Sequence, residues 1–501
     1  MKVLICIPCL LTGGTEIQTL NTVHALVQGG HEVTVACYFE HTSEMVARYR
    51  KAGAEVILFS PEGVRVGGYK SILFLYRHLR RAVRAVRPDV VHVQYMAPGA
   101  TVILLLWLMG VKNIIATAHT AADIYRDLRL IHFLQRRCLR AFTCITERAE
   151  RSFFGSTQLY TPDMVLGKRN HFTIYNSLPL RYGERLKAAE QRLIATASQV
   201  NVASPRLNAA EQQVNCDDSQ VNAPCAVKGQ ELTANSQEPF SHADFADYTE
   251  NASLAGNINL TQTSQNSRNN ISEQDIQREL DTITQNGKSL RPCTSGVSTE
   301  DSQLTAHSQQ PIAKSQEPDT KHTLGVVSRL EPIKGMDLVV PAFAEVLKMY
   351  PDTLLLVVGD GSLRASMEQQ AVELGCADHI RFVGRQPQEE LSQWYSQMDI
   401  VLMPSRSEGF GLTAIEAMAH GCVMVASDTG GLPEVVRDGV CGLLHRAEDV
   451  TDMASKISTL IGDPALYTQL RAQSLVEVEK YSFERYASAV CDLYKRLGVS
   501  V

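Results

Sequence analysis

The stretch that most restricts the fold runs from Asp399 to Ala419. An apolar run ending at Met403-Pro404 has the length and composition of a strand buried on both faces. It is followed by Ser405-Arg406-Ser407-Glu408-Gly409-Phe410-Gly411-Leu412-Thr413-Ala414-Ile415-Glu416, which turns into a helix continued by Ala417-Met418-Ala419. A buried strand that feeds a helix through a glycine turn calls for a parallel sheet with helices on its faces. Such turns lie at the carboxyl ends of strands, where ligands of open parallel sheets bind, and the amides of Gly411, Leu412 and Thr413 would face an anion there. A second reading needs no ligand: Thr413 and Glu416 have the spacing of a capping box that closes the helix start on itself.

The same unit recurs along the chain. Lys2 to Pro8 reads as a strand, Gly13-Gly14-Thr15-Glu16 as its turn, and the following helix stops at Gly29-Gly30 before a strand from Glu32 to Tyr38. Asn113 to Ala118 is a strand that delivers His119-Thr120, and Arg126 to Arg151 reads as helix-rich and basic. Phe172 to Tyr175 is a strand whose turn at Asn176-Ser177 closes a first domain, residues 1–182. Thr323 to Ser328 delivers Arg329, and Lys334 precedes Gly335 at the next helix start, so two cations flank one strand-to-helix turn. That is the arrangement a leaving diphosphate needs when no metal neutralises it. Ile380 to Val383 ends at Gly384-Arg385, where main chain could pair with a base. Val423 to Ser427 ends in the glycine turn Gly430-Gly431-Leu432-Pro433-Glu434. The second domain is residues 322–480, and 481–501 is an amphipathic terminal helix expected to cross back to the first domain.

Between the domains, residues 183–321 are rich in Ser, Asn, Gln and Thr and lack a lasting period, which predicts a disordered insertion. Sequons at Asn251, Asn259 and Asn270 carry no weight without a secretory signal, and Gln274 to Ile283 has the pattern of a short helix.

Charge and cysteine usage narrow the class. The net charge of −6 argues against nucleic acid, yet residues 1–182 hold 22 basic and 12 acidic side chains, an excess of ten positive charges. Arg77, Arg80, Arg81, Arg84 and Arg87 lie on the amphipathic stretch from Tyr69, whose apolar side reads as packed on the sheet with its arginines solvated; the second reading is an anionic acceptor or a peripheral contact with a membrane surface. The twelve cysteines are scattered through strand-like runs, as in a cytoplasmic protein with reduced thiols. Cys6-Ile7-Pro8-Cys9 is formally a CxxC, but Cys6 alternates within a strand. The opening Met1 to Leu11 reads as a first strand, not a signal peptide, and the longest apolar run, Thr101 to Gly110, is about half a membrane span.

Taken together, Gly13-Gly14, Arg329, Lys334, Glu408 to Glu416 and Gly430 to Glu434 resemble the group 1, or family four, glycosyltransferases over residues 1–182 and 322–501. The resemblance implies the GT-B fold, two facing Rossmann-like α/β domains, the first for the acceptor and the second for a nucleotide sugar. It implies a metal-independent transfer that retains the donor's anomeric configuration, with a UDP- or GDP-sugar as donor substrate, no cofactor, and a glycan, lipid-linked or surface-polysaccharide acceptor. By position, Arg329 and Lys334 would clamp the diphosphate, Glu408 would sit at the sugar and Glu416 would hold the ribose. Gly13 and Gly14 would approach the donor across the cleft; Phe410, Gly411, Leu412, Thr413 and Arg385 would line its site. His119 matches a histidine that follows a strand in many members, although they often read His-Asp where this chain has His119-Thr120. The expected location is cytoplasmic, or peripheral at the inner membrane face. The alternative is a non-catalytic nucleotide-sugar-binding or scaffold protein of polysaccharide assembly.

Overall fold

Two parallel sheets, each covered by helices on both faces, make up the described part of the chain. The structure is a computed structural model that describes residues 1–94, 99–122, 125, 128–164, 169–182 and 322–498. The expected disordered insertion, its sequons and the helix at Gln274 to Ile283 lie outside these residues. Both sheets fall within one unit, Met1–Ala252 with Thr320–Val501.

The first sheet has seven strands: β1 (Lys2–Ile7), β2 (Glu32–Cys37), β3 (Glu55–Leu58), β4 (Val90–Gln94), β5 (Ile114–Ala118), β6 (Ala141–Cys144) and β7 (His171–Thr173). Their order is 3-2-1-4-5-6-7, and every neighbouring pair is parallel. The second sheet uses β8 (Thr323–Val327), β9 (Leu354–Val358), β10 (Ile380–Gly384), β11 (Ile400–Met403), β12 (Val423–Ser427) and β13 (Gly442–His445) in the order 10-9-8-11-12-13. Relative to its own first strand this is 3-2-1-4-5-6, the doubly wound dinucleotide-fold order. The expectation of two Rossmann-like α/β domains holds.

Strand alternation builds the four cores. Leu4 and Cys6 of β1 enter the core of one sheet face, while Val3, Ile5 and Ile7 enter the core of the other. In β11, Ile400 and Leu402 divide from Val401 and Met403 in the same way. Because both faces are covered, the strands read as continuous apolar runs, which is why they were legible in sequence.

Between Arg126 and Arg151 the structure departs from the sequence reading. Helix-rich only in part, this stretch contains β6, which separates α5 (Arg129–Arg137) from α6 (Glu147–Phe154). With only Ala141-Phe142-Thr143-Cys144 between charged helices, its strand character comes from pairing with β5 and β7 rather than from its own pattern.

The terminal helix α14 (Phe483–Gly498) packs against α1 (Gly14–Gln28) on the first sheet, and the chain reaches it through Leu178 N–H donating to the Tyr481 carbonyl at 2.8 Å. Tyr486 hydroxyl lies 2.7 Å from Thr22 Oγ1, and Tyr160 hydroxyl donates to Asp492 Oδ2 at 2.7 Å. Being covered by α14 on one side and the sheet on the other, α1 buries Glu16, Gln18, Thr19 and Asn21 along with its apolar residues.

Candidate functional site

Both sheets reverse strand order beside their first strand, between β1 and β4 and between β8 and β11. Loops leaving the carboxyl ends of these strands diverge and open a crevice. Gly13 follows β1, Gln94 ends β4 and His119 follows β5; Arg329 follows β8 and Ser405 to Gly411 follow β11. Gly13, Gly14, Arg329 and the Ser405 to Gly411 turn therefore lie on loops at facing strand ends.

In the second half, Lys334 Nζ donates to Glu408 Oε2 at 2.7 Å, with both side chains mostly shielded from solvent. Arg406, which sequence reasoning passed over, holds the turn that carries Lys334. Its guanidinium donates to Asp337 Oδ1 and Oδ2 at 2.7 and 2.8 Å, pairs with Glu448 and bonds the Pro332 carbonyl, while its N–H donates to the Ile333 carbonyl at 3.0 Å. The fork on Arg406 holds the Asp337 carboxyl below the usual range. Arg329 is exposed at the cleft.

The capping-box reading of Thr413 and Glu416 does not survive. Helix α10 (Leu412–Ala419) is capped by Gly411, whose left-handed φ of 100° suits glycine, and Glu416 points away from the helix start. Its carboxyl is buried, accepts from Tyr395 hydroxyl at 3.1 Å and is raised above the usual range by burial, against the pull of Arg181 from the chain that links the halves. The first-turn amides of Leu412 and Thr413 have no helical carbonyl to bond and remain at the cleft. Phe410 is in the core beneath the turn, its ring 6.3 Å from Tyr175 and 5.4 Å from Tyr481, so only its main chain is placed to meet a ligand.

From the first half, Gly14 faces Leu412: a β-carbon there would lie 3.5 Å from Leu412 Cδ1. His119 is buried, its Nε2 is 2.8 Å from Gln94 Oε1, and burial beside His92 pushes it down to about 3, so the ring is neutral. What His119 turns toward the other half is its carbonyl, which approaches Gly409 so closely that any β-carbon at 409 would overlap it. His92 continues the buried network, with Nδ1 2.5 Å from Tyr494 hydroxyl and Nε2 2.6 Å from Thr117 Oγ1.

Three further links cross the cleft. Arg385 reaches Thr12 Oγ1 at 3.3 Å, Arg48 donates to Gln388 Oε1 at 2.7 Å, and the Glu434 carboxylate accepts the Glu147 and Arg148 amides at 2.7 and 3.1 Å. Glu434 thus caps α6 from the opposite half, while Arg148 Nη1 donates back to the Gly430 carbonyl at 3.0 Å. Sequence reading marked Glu434 as part of a glycine turn, but no local signal shows that it caps a helix nearly 290 residues earlier.

Two family patterns match the chain in order: "Glycosyltransferase Family 4" over residues 12–157 and "Glycosyl transferases group 1" over residues 308–475. Among curated proteins, D-inositol 3-phosphate glycosyltransferase of Nocardia farcinica is 36% identical over 175 residues, which is 34% of this chain and 39% of that protein. The corresponding protein of Streptosporangium roseum is 34% identical over 186 residues, 35% of this chain and 43% of its own length. These matches therefore span well under half of the relatives. Among solved structures, Alr3699/HepE of Anabaena in complex with UDP aligns with a TM-score of 0.60 at 14% identity, covering 99% of this chain and 100% of that one. A glycosyltransferase of Rickettsia africae aligns with a TM-score of 0.60 at 12% identity, covering 99% and 98%. At such identities the likeness establishes the fold, which is GT-B.

Proposed function

Because this chain belongs to the group 1 glycosyltransferases, we propose that it transfers a sugar from a nucleotide-sugar donor, with retention and without a metal, to a glycan or lipid-linked acceptor. The observation that carries this reading is the meeting of Lys334, Glu408 and the Leu412 and Thr413 amides with the Gly13-Gly14 turn at facing strand-order reversals. Lys334 and Glu408 neutralise each other in this structure. A diphosphate entering beside them takes over Lys334, and Glu408 is released to accept from sugar hydroxyls.

Bond cleavage increases negative charge on the leaving diphosphate. Lys334, Arg329 and the helix-start amides then bind the transition state more tightly than the ground state, and the leaving phosphate removes the acceptor's proton on the same face of the sugar. Glu416, bonded by Tyr395 and Gln388, would take a ribose hydroxyl as a further donor to its carboxylate. The name of these relatives, D-inositol 3-phosphate glycosyltransferase, supports a hydroxylated acceptor; the UDP of the Anabaena structure supports a uridine donor.

No helix among the described residues is long and apolar enough to cross a membrane. The first half instead turns outward a basic and apolar surface from three helices on one sheet face: α3 (Tyr69–Val86), α4 (Gly99–Leu108) and α5. Arg77, Arg81 and Arg84 are exposed on α3, Trp107 and Leu108 on α4, and Leu130, Phe133, Arg136 and Arg137 on α5. Cations around exposed aromatic and aliphatic side chains suit the headgroup region of an anionic bilayer. Such a surface supports peripheral contact of a cytoplasmic enzyme with the inner membrane face.

A thermal-shift panel of UDP, GDP, ADP and their sugars tests the donor site. A nucleotide present at 100 times its dissociation constant stabilises by about 2.7 kcal/mol. Release of free nucleotide from a labelled donor separates the enzyme from a scaffold that only binds. Co-sedimentation with phosphatidylglycerol vesicles, and not with phosphatidylcholine vesicles, tests the surface.

A further inference from the structure

Glu16 is an acid placed where the donor reading requires anions to arrive. It is the third residue of α1, and its carboxyl folds back over the preceding turn, so a β-carbon on Gly13 would overlap Oε2. The Cys9 thiol donates to Oε1 at 3.2 Å. From α2 (Ser43–Lys51), the Tyr49 hydroxyl donates to the Glu16 carbonyl at 2.6 Å and fixes the turn. The charge of Arg329, on the facing half, acts on this carboxyl, and the charges of Glu16 and Glu40 act on the Cys9 and Cys37 thiols at the strand ends of the first sheet. Only Arg329 among these is a cation.

Burial pushes the Glu16 carboxyl above the ordinary carboxylate range, while the Cys9 thiol, its own amide and Arg329 pull it back. A nucleotide diphosphate bound at Gly13-Gly14 would claim Arg329 and bring negative charge against this carboxyl. Two anions sharing a poorly solvated site cannot both stay charged without cost, and the group whose proton affinity is already raised is the one that protonates. This inference rests on the donor-site reading above.

We propose that Glu16 takes up a proton from solvent when a nucleotide diphosphate enters the cleft, changing from a carboxylate opposite Arg329 to a neutral acid whose O–H donates to a phosphate oxygen. Donor binding and proton binding are then linked, so affinity falls as pH rises. Where uptake is complete the dissociation constant increases about tenfold per pH unit. The amide of Glu16→Gln mimics the neutral acid, so that variant binds independently of pH and more tightly than wild type at alkaline pH.

The test is calorimetry of UDP, GDP and ADP binding to the full chain at pH 8 in buffers of different ionisation enthalpy. Wild type is expected to take up close to one proton per nucleotide bound, and Glu16→Gln close to none; titration of the nucleotide's own phosphate is common to both and cancels. Cys9→Ala keeps the carboxyl but removes its thiol donor, which raises proton occupancy before binding and lowers the uptake. A nucleotide that binds wild type with no difference in proton uptake from Glu16→Gln overturns the role of Glu16 and leaves the donor site standing. Failure of all three nucleotides to bind overturns both.

Discussion

The main chain of Gly409 lies against the carbonyl oxygen of His119, one residue from each half, in an approach that leaves no room for a β-carbon. This contact fixes the spacing of the two halves at this point of the cleft. Gly409→Ala forces the halves apart by roughly the width of a methyl group, an overpacking cost of about 1–3 kcal/mol in the closed state. The expected outcome is a turnover about 5- to 100-fold lower with nucleotide affinity little changed. Steady-state kinetics beside nucleotide titrations will read this; an unchanged turnover means that the halves do not close this far during the reaction.

In the proposed reaction Lys334 meets the leaving group, held in the cleft by its partner Glu408 and the turn fixed by Arg406. Replacing it by alanine is expected to raise the barrier by on the order of 3 kcal/mol, about two decades in rate. A Lys334→Ala enzyme within threefold of wild type would remove Lys334 from the mechanism.

Glu434 caps α6 from across the cleft with two charge-assisted bonds. Glu434→Ala is expected to weaken the closed arrangement by about 0.5–2 kcal/mol, within the range of other helix caps. Small-angle scattering should show a larger radius for the variant without nucleotide, with the difference shrinking when donor is added. Equal radii would mean that other contacts hold the halves together.

Acid sensitivity follows from the two buried histidines, His92 and His119, both pushed down to about 3 by burial. The unfolded chain protonates its histidines near 6.5, and the folded chain does not until far lower pH. Stability is therefore full above the unfolded value and is lost as pH falls from about 6.5 toward 3. At pH 5 each histidine is expected to cost about 2 kcal/mol relative to pH 8. Urea midpoints at the two pH values measure it, and a flat profile would show that these rings titrate alike in the folded and unfolded chain.

Tyr494 ties the terminal helix to this network through His92 Nδ1. Tyr494→Phe keeps the ring and leaves a buried nitrogen without its partner, an expected loss of about 1–3 kcal/mol seen as an earlier urea midpoint. No change in midpoint would mean that the ring's packing alone anchors the helix.

Much of this molecule could be read along the chain. Strands buried on both faces show themselves as apolar runs, and glycine turns punctuate them, so both parallel sheets and the positions of Gly13, Arg329, Lys334 and the turn after Met403 were set out by residues close in sequence. Two strands escaped: β3 is a four-residue, partly exposed edge strand, and β6 takes its strand character from its neighbours rather than from its own residues.

Partnership between side chains, within each half and across the cleft, was beyond the sequence. Lys334 with Glu408, Glu434 on α6, the His119 carbonyl against Gly409 and the burial of Glu16 beside Cys9 each join segments that no periodicity connects. Likewise Thr413 and Glu416 carry the letters of a capping box, and only packing against Tyr395 decides that Glu416 turns inward. Local spacing determines which backbone conformations a segment favours. The direction a polar side chain takes, and the protonation it holds there, depend on desolvation and on charges brought near by folding.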